Sequence, residues 1–401
     1  MQQEFDSMEY VFPSSVDWEE WKECRAFMPF EEKVVDFLNT LSVSLFRDPE
    51  TRRYRDVVAF AFFCRRANIL SYKRKNGNSG IRLGRGLVFH VAASNVPMNF
   101  AYSLTAGLLG GNYNIVRLPS RRFEQADMLV RHICRLAGNA PYKDVAERIA
   151  LVRYDKADAA TAFFSSFCDV RIIWGGDETV RRIRELPIPP RSFDLSFADR
   201  YSFAVFRIIS LPDEKEIRHL ASGFYNDTYV FDQNACSSPH LVIWTGDKEK
   251  VEKMRYLFWN ALYEEVENKY EFHPILGIDK LTALCRQAME MPVRRINWYG
   301  NKLVRVELER LKEDIDRFRS AGGYFSEYYA GTPDEIVPMV KRSYQTLVYY
   351  GFESEELADF ITQNRLPGID RIVPVGAASD FRFIWDGYDL PDLLSRICDL
   401  R

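Results

Sequence analysis

The sequence predicts an α/β protein with a doubly wound parallel sheet and, after it, a second α/β domain. Three observations carry this prediction. From residue 86 onward, short apolar strands alternate with amphipathic helices, the pattern of parallel sheets covered by helices. Residues 86–116 contain no Asp, Glu, Lys or Arg, as interior strands and helices require. The PIPP run at 187–190 then punctuates the chain, and a second series of strands and helices follows.

The first 80 residues mix helical stretches such as EEKVVDFLNTLSVSLF with the polar loop KRKNGNSG, and they read as a helical packing region. The alternating series then runs GLVFHVA, MNFAYSLTAGLL, NIVRL, RFEQADMLVRHICRLAG, RIALVRY, DAATAFFSSF, VRIIWGG and ETVRRIREL. Beyond PIPP come SFADRYSFAVFRI, the block FDQNACSSPHLVIW and a long amphipathic helix from about Lys248 to Asn268. QTLVYYGF and RIVPVGAASDFRFIWDGYDL add two short strands and a turn-rich tail. The expected division is 1–80 packing region, 81–210 doubly wound domain, 211–370 second α/β domain and 371–401 a segment returning to the first domain or to an oligomer interface.

Bulk properties exclude several classes of protein. The chain has 401 residues, 47% hydrophobic and 28% charged, which suits domains with sizeable cores. A net charge of −3 with both signs interspersed offers neither a basic face for nucleic acid nor a polybasic membrane tether. Seven scattered cysteines form no CxxC pair, and the five histidines show no metal-ligand spacing, so a reducing compartment and structural histidines are expected. The acidic start MQQEFDSMEYVF is unlike a secretory signal, and the protein is expected to be cytoplasmic. The charge-free run 86–116 is interrupted by Ser94, Asn95, Pro97, Asn99 and a Gly110-Gly111-Asn112 turn, so it is not read as a membrane span. No GxSxG elbow or phosphate-cradling GxxxxGK(S/T) is present.

Four places could carry chemistry. Cys236 stands among small polar residues just before the apolar strand HLVIW, where a thiol is either presented at a strand edge or packed as a small hydrophobe. Asn95 lies between a buried strand and Pro97; its amide could aim at an oxyanion, or it could cap the helix beginning near Met98. Arg117, Ser120, Arg121 and Arg122 follow a strand, where a doubly wound sheet meets nucleotides at its carboxyl edge; the alternative is a solvated turn. Gly175 and Gly176 stand between a strand and a helix, allowing backbone to approach a pyrophosphate or serving a tight turn, with Asp177 repelling phosphate unless it caps the helix.

Taken in order, VAASNVPMNF, GNYNIVRLPS, IIWGGDETV, FADRYSFAVF, FDQNACSSP and RIVPVGAASDFRFIWDGYDL resemble the long-chain acyl-CoA reductase family, whose best-known member is the reductase of the bacterial luminescence fatty-acid reductase complex. That family is a divergent branch of the aldehyde dehydrogenase superfamily. The resemblance implies an aldehyde dehydrogenase-like fold, with a cofactor-binding domain interrupted by a catalytic domain that donates the nucleophile. It makes Cys236 the nucleophile and Asn95 the oxyanion donor, beside Ser94, which replaces the usual Trp. Ser94, Arg117, Ser120, Arg121, Gly175, Gly176 and Asp177 then fall to the cofactor. Ser120 stands where the superfamily has an acidic residue, which leaves room for a ribose 2′-phosphate and favours NADPH, with NADH the alternative. The water-activating glutamate of hydrolytic members is missing from SFADRYSF. Exchange between two thiols needs no strong base, so the resemblance implies reduction of an acyl-CoA or acyl-protein thioester to the aldehyde. The rival readings are a hydrolytic aldehyde dehydrogenase using Asp232 as base, and a non-catalytic acyl-carrying subunit. Asp199 is a further proton-handling candidate, with pairing to Arg200 or capping a turn as its alternatives. Acyl-protein synthetase and acyltransferase partners and a homo-oligomer are implied by the family alone.

Overall fold

The computed structural model describes residues 8–76, 80–93, 96–154 and 158–400, and the chain divides into two compact units. Unit 1 comprises Met1–Asp199 with Phe381–Arg401, and unit 2 is Arg200–Asp380. The first unit is therefore discontinuous, with the second inserted into it.

Unit 1 begins with β1 (Glu9–Phe12), α1 (Trp18–Lys22), α2 (Glu32–Arg47), α3 (Arg55–Phe63), α4 (Arg66–Asn76) and β2 (Ile81–Gly84). It continues through β3 (Leu87–Val91), α5 (Asn99–Leu109), β4 (Tyr113–Arg117), α6 (Glu124–Ala137), α7 (Lys143–Ala146), β5 (Ile149–Arg153), α8 (Asp158–Ser165), β6 (Val170–Trp174), α9 (Asp177–Arg184) and β7 (Phe193–Phe197). The six-stranded sheet has the order β1-β5-β4-β3-β6-β7, parallel except for β1 against β5. Its interior strands β3, β4, β5 and β6 are mostly apolar because both faces are covered. Ile149 and Leu151 of β5 pack in one core with α2, α5 and α6, while Ala150 and Val152 pack in another with Trp21, Phe164 and Val180.

The charge-free stretch is explained by this arrangement. β3 is buried throughout, and α5 is buried at Phe100, Ala101 and every position from Ser103 to Leu109. Gly107 of α5 is required by close approach, since a Cβ there would stand 1.9 Å from Asn114 Oδ1. That contact belongs to a buried polar chain in which His90 Nδ1 meets Ser103 Oγ at 2.7 Å and His90 Nε2 meets Asn114 Oδ1 at 3.0 Å. Burial pushes the His90 imidazole down to about 4, so it stays neutral and structural.

Unit 2 contains β8 (Tyr201–Ile208), α10 (Glu214–Thr228), β9 (Pro239–Gly246), α11 (Lys248–Lys269), α12 (Ile275–Glu290), β10 (Val293–Tyr299), β11 (Leu303–Leu308), β12 (Tyr324–Tyr329), β13 (Tyr344–Tyr350), α13 (Ser354–Gln363) and β14 (Arg371–Pro374). Its seven strands have the order β10-β11-β12-β9-β8-β13-β14, parallel except for β10 against β11. Alternation along each strand splits the core in two. Val242 and Trp244 face Phe224, Phe258 and Trp259, whereas Leu241 and Ile243 face Tyr344, Leu347 and Leu357. Asp213 and Asp247 cap α10 and α11 by accepting from the N–H groups of Glu216 and Lys250.

The expected boundaries at 210 and 370 shift for a reason of pairing. SFADRYSFAVFRI holds two strands in two sheets, because β7 ends at Phe197 beside β6 while β8 pairs with β9 and β13. β14 likewise joins β13, so only residues from Phe381 onward belong to unit 1. There Ser395–Cys398 pairs antiparallel with β2, and Asn112 Nδ2 donates to Leu394 O at 2.8 Å. The first 80 residues pack on the rest of unit 1, since α2 and α3 share the core of α5 and α6.

Candidate active site

The thiol of unit 2 is carried by a turn that the local sequence shapes tightly. After α10 a short 3-10 turn, Tyr229–Phe231, leads to Asp232 and Gln233, both in left-handed backbone with φ of 51° and 61°. Such a conformation costs on the order of 1–3 kcal/mol per non-glycine residue unless the surroundings hold it. Gln233 supplies the hold. Its Nε2 donates to Pro239 O at 3.0 Å and Tyr324 O at 3.1 Å, and its Oε1 accepts from Gly323 N at 3.0 Å and Tyr324 N at 3.1 Å. Ser238 Oγ donates to Asp227 O at 2.8 Å, closing the turn back onto α10.

Cys236 is thereby set half-buried at the head of β9. Its carbonyl accepts from Ser202 Oγ at 2.7 Å, and Ser202 Oγ accepts in turn from Thr346 N at 3.1 Å. Gln345, fully buried at the start of β13, donates from Nε2 to Cys236 Sγ at 3.2 Å. The other side of that amide is fixed by Thr346 Oγ1, which donates to Gln345 Oε1 at 3.1 Å. Sequence reasoning missed Gln345. The signal was a Gln-Thr pair opening an otherwise apolar strand, which is unusual for a buried parallel strand.

Asp227 is the second residue that sequence reasoning missed. Its carboxylate accepts from Gly376 N at 2.6 Å and Ala378 N at 2.8 Å, tying the terminal VGAAS loop to α10. Burial pushes this carboxyl up to about 7, against the pull of the two N–H groups. His240 is no candidate base, because burial and the nearby Arg319 push it down to about 3. Asp232 is engaged by Tyr270, whose hydroxyl donates to its Oδ1 at 2.7 Å.

The cofactor candidates lie in unit 1. Arg117 ends β4 half-buried, with its guanidinium 4.8 Å over the ring of Tyr154, and Ser120 and Arg121 are exposed in the turn beyond. Arg122 is committed elsewhere, donating to both carboxylate oxygens of Glu9 at 2.9 and 3.0 Å.

The glycine turn lies at the start of α9. Asp177 N donates to Asp199 Oδ2 at 3.1 Å, and Asp199 N donates to Asp177 Oδ1 at 3.1 Å. The first turn of α9 thus already holds one carboxylate, with Asp177 and Glu178 beside it, and an added anion would meet repulsion. Gly175 and Gly176 serve packing there, since a Cβ on Gly176 would lie 3.1 Å from Asp199 Oδ2 and one on Gly175 3.2 Å from Thr179 Cγ2. Gly175, Gly176 and Asp177, the other residues expected at the cofactor, form this turn. Asp199 accepts from the backbone N–H of Asp177 at the start of α9. Ser94 and Asn95 lie outside the described residues. Among the described residues, no group of His, Cys, Asp and Glu could hold a metal ion, and no helix is long and apolar enough to cross a membrane.

Two compact α/β units, one inserted into the other, with a cysteine heading a parallel strand of the second, define an aldehyde dehydrogenase-like fold. The whole chain superposes on a NAD-dependent benzaldehyde dehydrogenase from Corynebacterium glutamicum with a TM-score of 0.64 at 12% identity, covering 96% of this chain and 93% of that one. A 1-pyrroline-5-carboxylate dehydrogenase gives 0.63 at 12% identity, covering 95% and 82%. Residues 17–288 match the family described as acyl-CoA reductase (LuxC), and the chain belongs to that family. Long-chain acyl-protein thioester reductases are similar in sequence, from Vibrio harveyi at 25% identity over 304 residues and from Aliivibrio fischeri at 26% over 320. Each match covers 74% of this chain, and the chain spans 60% of the length of either relative.

Proposed function

We propose that the protein reduces a long-chain fatty acyl thioester to the aldehyde through an acyl-Cys236 intermediate, with NADPH as reductant. The observation that carries this reading is the thiol itself: half-buried at the head of β9, on a turn locked by Gln233, with an amide N–H 3.2 Å from its sulfur. The family match and the names of the curated relatives support the acyl chemistry.

In the proposed reaction Cys236 attacks the thioester carbonyl as the thiolate, its sulfur bonds to the acyl carbon, and the carrier thiol leaves. Asn95 and the Cys236 N–H are assigned to the oxyanion, on the sequence alone for Asn95. Arg117, Ser120 and Arg121 are assigned to the phosphorylated ribose. Bound nicotinamide would supply the hydride. The water-activating glutamate of hydrolytic members is missing from SFADRYSF, which supports aldehyde over acid as product.

The test is one assay with four arms. Tetradecanoyl-CoA and a tetradecanoyl carrier protein are each offered with NADPH or NADH, and aldehyde and acid are both quantified. Aldehyde formation, faster with NADPH and lost in Cys236→Ala, is the expected result. Reductant consumption by Cys236→Ala, or acid as the main product, would overturn the reading.

A further inference from the structure

We propose that Gln345 is a positioning residue: its carboxamide N–H fixes the direction of the Cys236 sulfur and stabilises it whenever it carries negative charge. The proposal rests on the reading of Cys236 as the nucleophile.

Four features of unit 2 carry it. The donor–sulfur distance of 3.2 Å lies well within hydrogen-bonding range for sulfur. Thr346 Oγ1 donates to Gln345 Oε1, and a hydroxyl donor on that oxygen orients the NH2 half of the amide towards the thiol. Gln345 is wholly buried, so its amide has been taken out of water, where a hydrogen bond to a charged partner gains strength. The Cys236 backbone is separately tied to the same strands, through Ser202 Oγ to Cys236 O and Thr346 N to Ser202 Oγ. Backbone and sulfur are thus both referred to the β8–β13 pair.

The rest of β13 runs Leu347, Val348 and Tyr349, and a leucine would fill a similar volume. A leucine would lack the donor to sulfur. A neutral donor favours the thiolate without competing for its proton, as a histidine or lysine would. It acts on the sulfur both as attacking group and as leaving group.

The test reads the thiol directly. Cys236 alkylation by iodoacetamide is followed by peptide mass spectrometry from pH 5 to 10, in wild type, Gln345→Leu, Gln345→Glu and Thr346→Val. Loss of the donor should raise the midpoint of the Gln345→Leu profile by about one pH unit, which is tenfold in thiolate at a given pH, or ~1.4 kcal/mol. Gln345→Glu should move it further, because a carboxylate opposes the thiolate. Thr346→Val keeps its backbone N–H and loses only the orienting hydroxyl, so it should shift the midpoint in the same direction by less. A purely structural role would lower the melting temperature and leave the midpoints alone, and unchanged midpoints in folded variants would overturn the proposal. If Gln345→Leu fails to fold, Thr346→Val decides. Failure of wild-type Cys236 to accept an acyl group would instead sink the reading of the reaction, whatever the alkylation profiles show.

Discussion

At the scale of single residues, the largest electrostatic commitment lies away from the thiol, at Glu327. Its carboxylate is fully buried and accepts from Trp259 Nε1 at 2.7 Å, Trp244 Nε1 at 2.9 Å, Arg305 Nε at 2.8 Å and Arg255 Nε at 3.3 Å. Burial alone would raise this carboxyl, but Arg305 and Arg255 overcome it and hold Glu327 below the usual carboxylate range. Replacing both partners with apolar residues could be harmless, whereas removing only the anion takes the paired carboxylate from the buried Arg305 and leaves Arg255 with Glu307 and Glu252. Glu327→Gln should therefore lower unfolding free energy by about 3–5 kcal/mol. Urea denaturation would measure this, and a loss under ~1 kcal/mol would mean the cluster is far better solvated than its burial implies. Sequence reading could not see this cluster, because Arg255, Arg305 and Glu327 sit in separate elements and look like ordinary surface charges. Gln345 was hidden for the same reason. A residue 109 positions from Cys236 enters the site only through the pairing of β13 with β8.

Elements were legible where a periodic pattern coincided with burial. β3, β4 and β6 read as strands because they are interior, and the helix expected from Lys248 to Asn268 is α11, Lys248–Lys269. Legibility failed where one apolar stretch crosses from one sheet to another, as SFADRYSFAVFRI does, since pairing partners leave no local trace. It also failed at loops whose meaning lies in what they touch. VGAAS was legible as a turn, but its anchoring to Asp227 was not. That anchoring makes a prediction about Gly376, which has φ of +94° and would place a Cβ 3.2 Å from Gly223 Cα. Gly376→Ala combines backbone strain with crowding against another backbone, and should cost about 2 kcal/mol or more. The expected signature in urea is a lower midpoint with an unchanged slope. A midpoint equal to that of the wild type would show that the loop can leave α10 at no cost.

For the molecule as a whole, two buried groups in unit 2 should shape its stability against pH, with opposite signs. Asp227 is held up at about 7 by burial, against about 4 in an unfolded chain. Between these values the folded protein keeps a proton that the unfolded chain has released, so stability falls as pH rises from about 4 to 7 and is level above. Lys280 is wholly buried, with its ammonium donating to Gly322 O and lying 5.0 Å over the Phe272 ring, and burial pushes it down to about 8. Here the unfolded chain keeps the extra proton, so stability rises from about pH 8 to 10.5. Each pH unit of difference corresponds to about 1.4 kcal/mol, which makes each arm worth roughly 2–4 kcal/mol. Unit 2 should accordingly be least stable between about pH 7 and 8. Hydrogen exchange of the β9 amides, corrected for intrinsic rates, would follow this unit by itself. Asp227→Asn should flatten the acid arm, and Lys280→Met should flatten the alkaline arm while raising stability near pH 7. An Asp227→Asn profile that tracks the wild type between pH 5 and 7 would show that Asp227 stays ionised, with the N–H groups of Gly376 and Ala378 outweighing its burial.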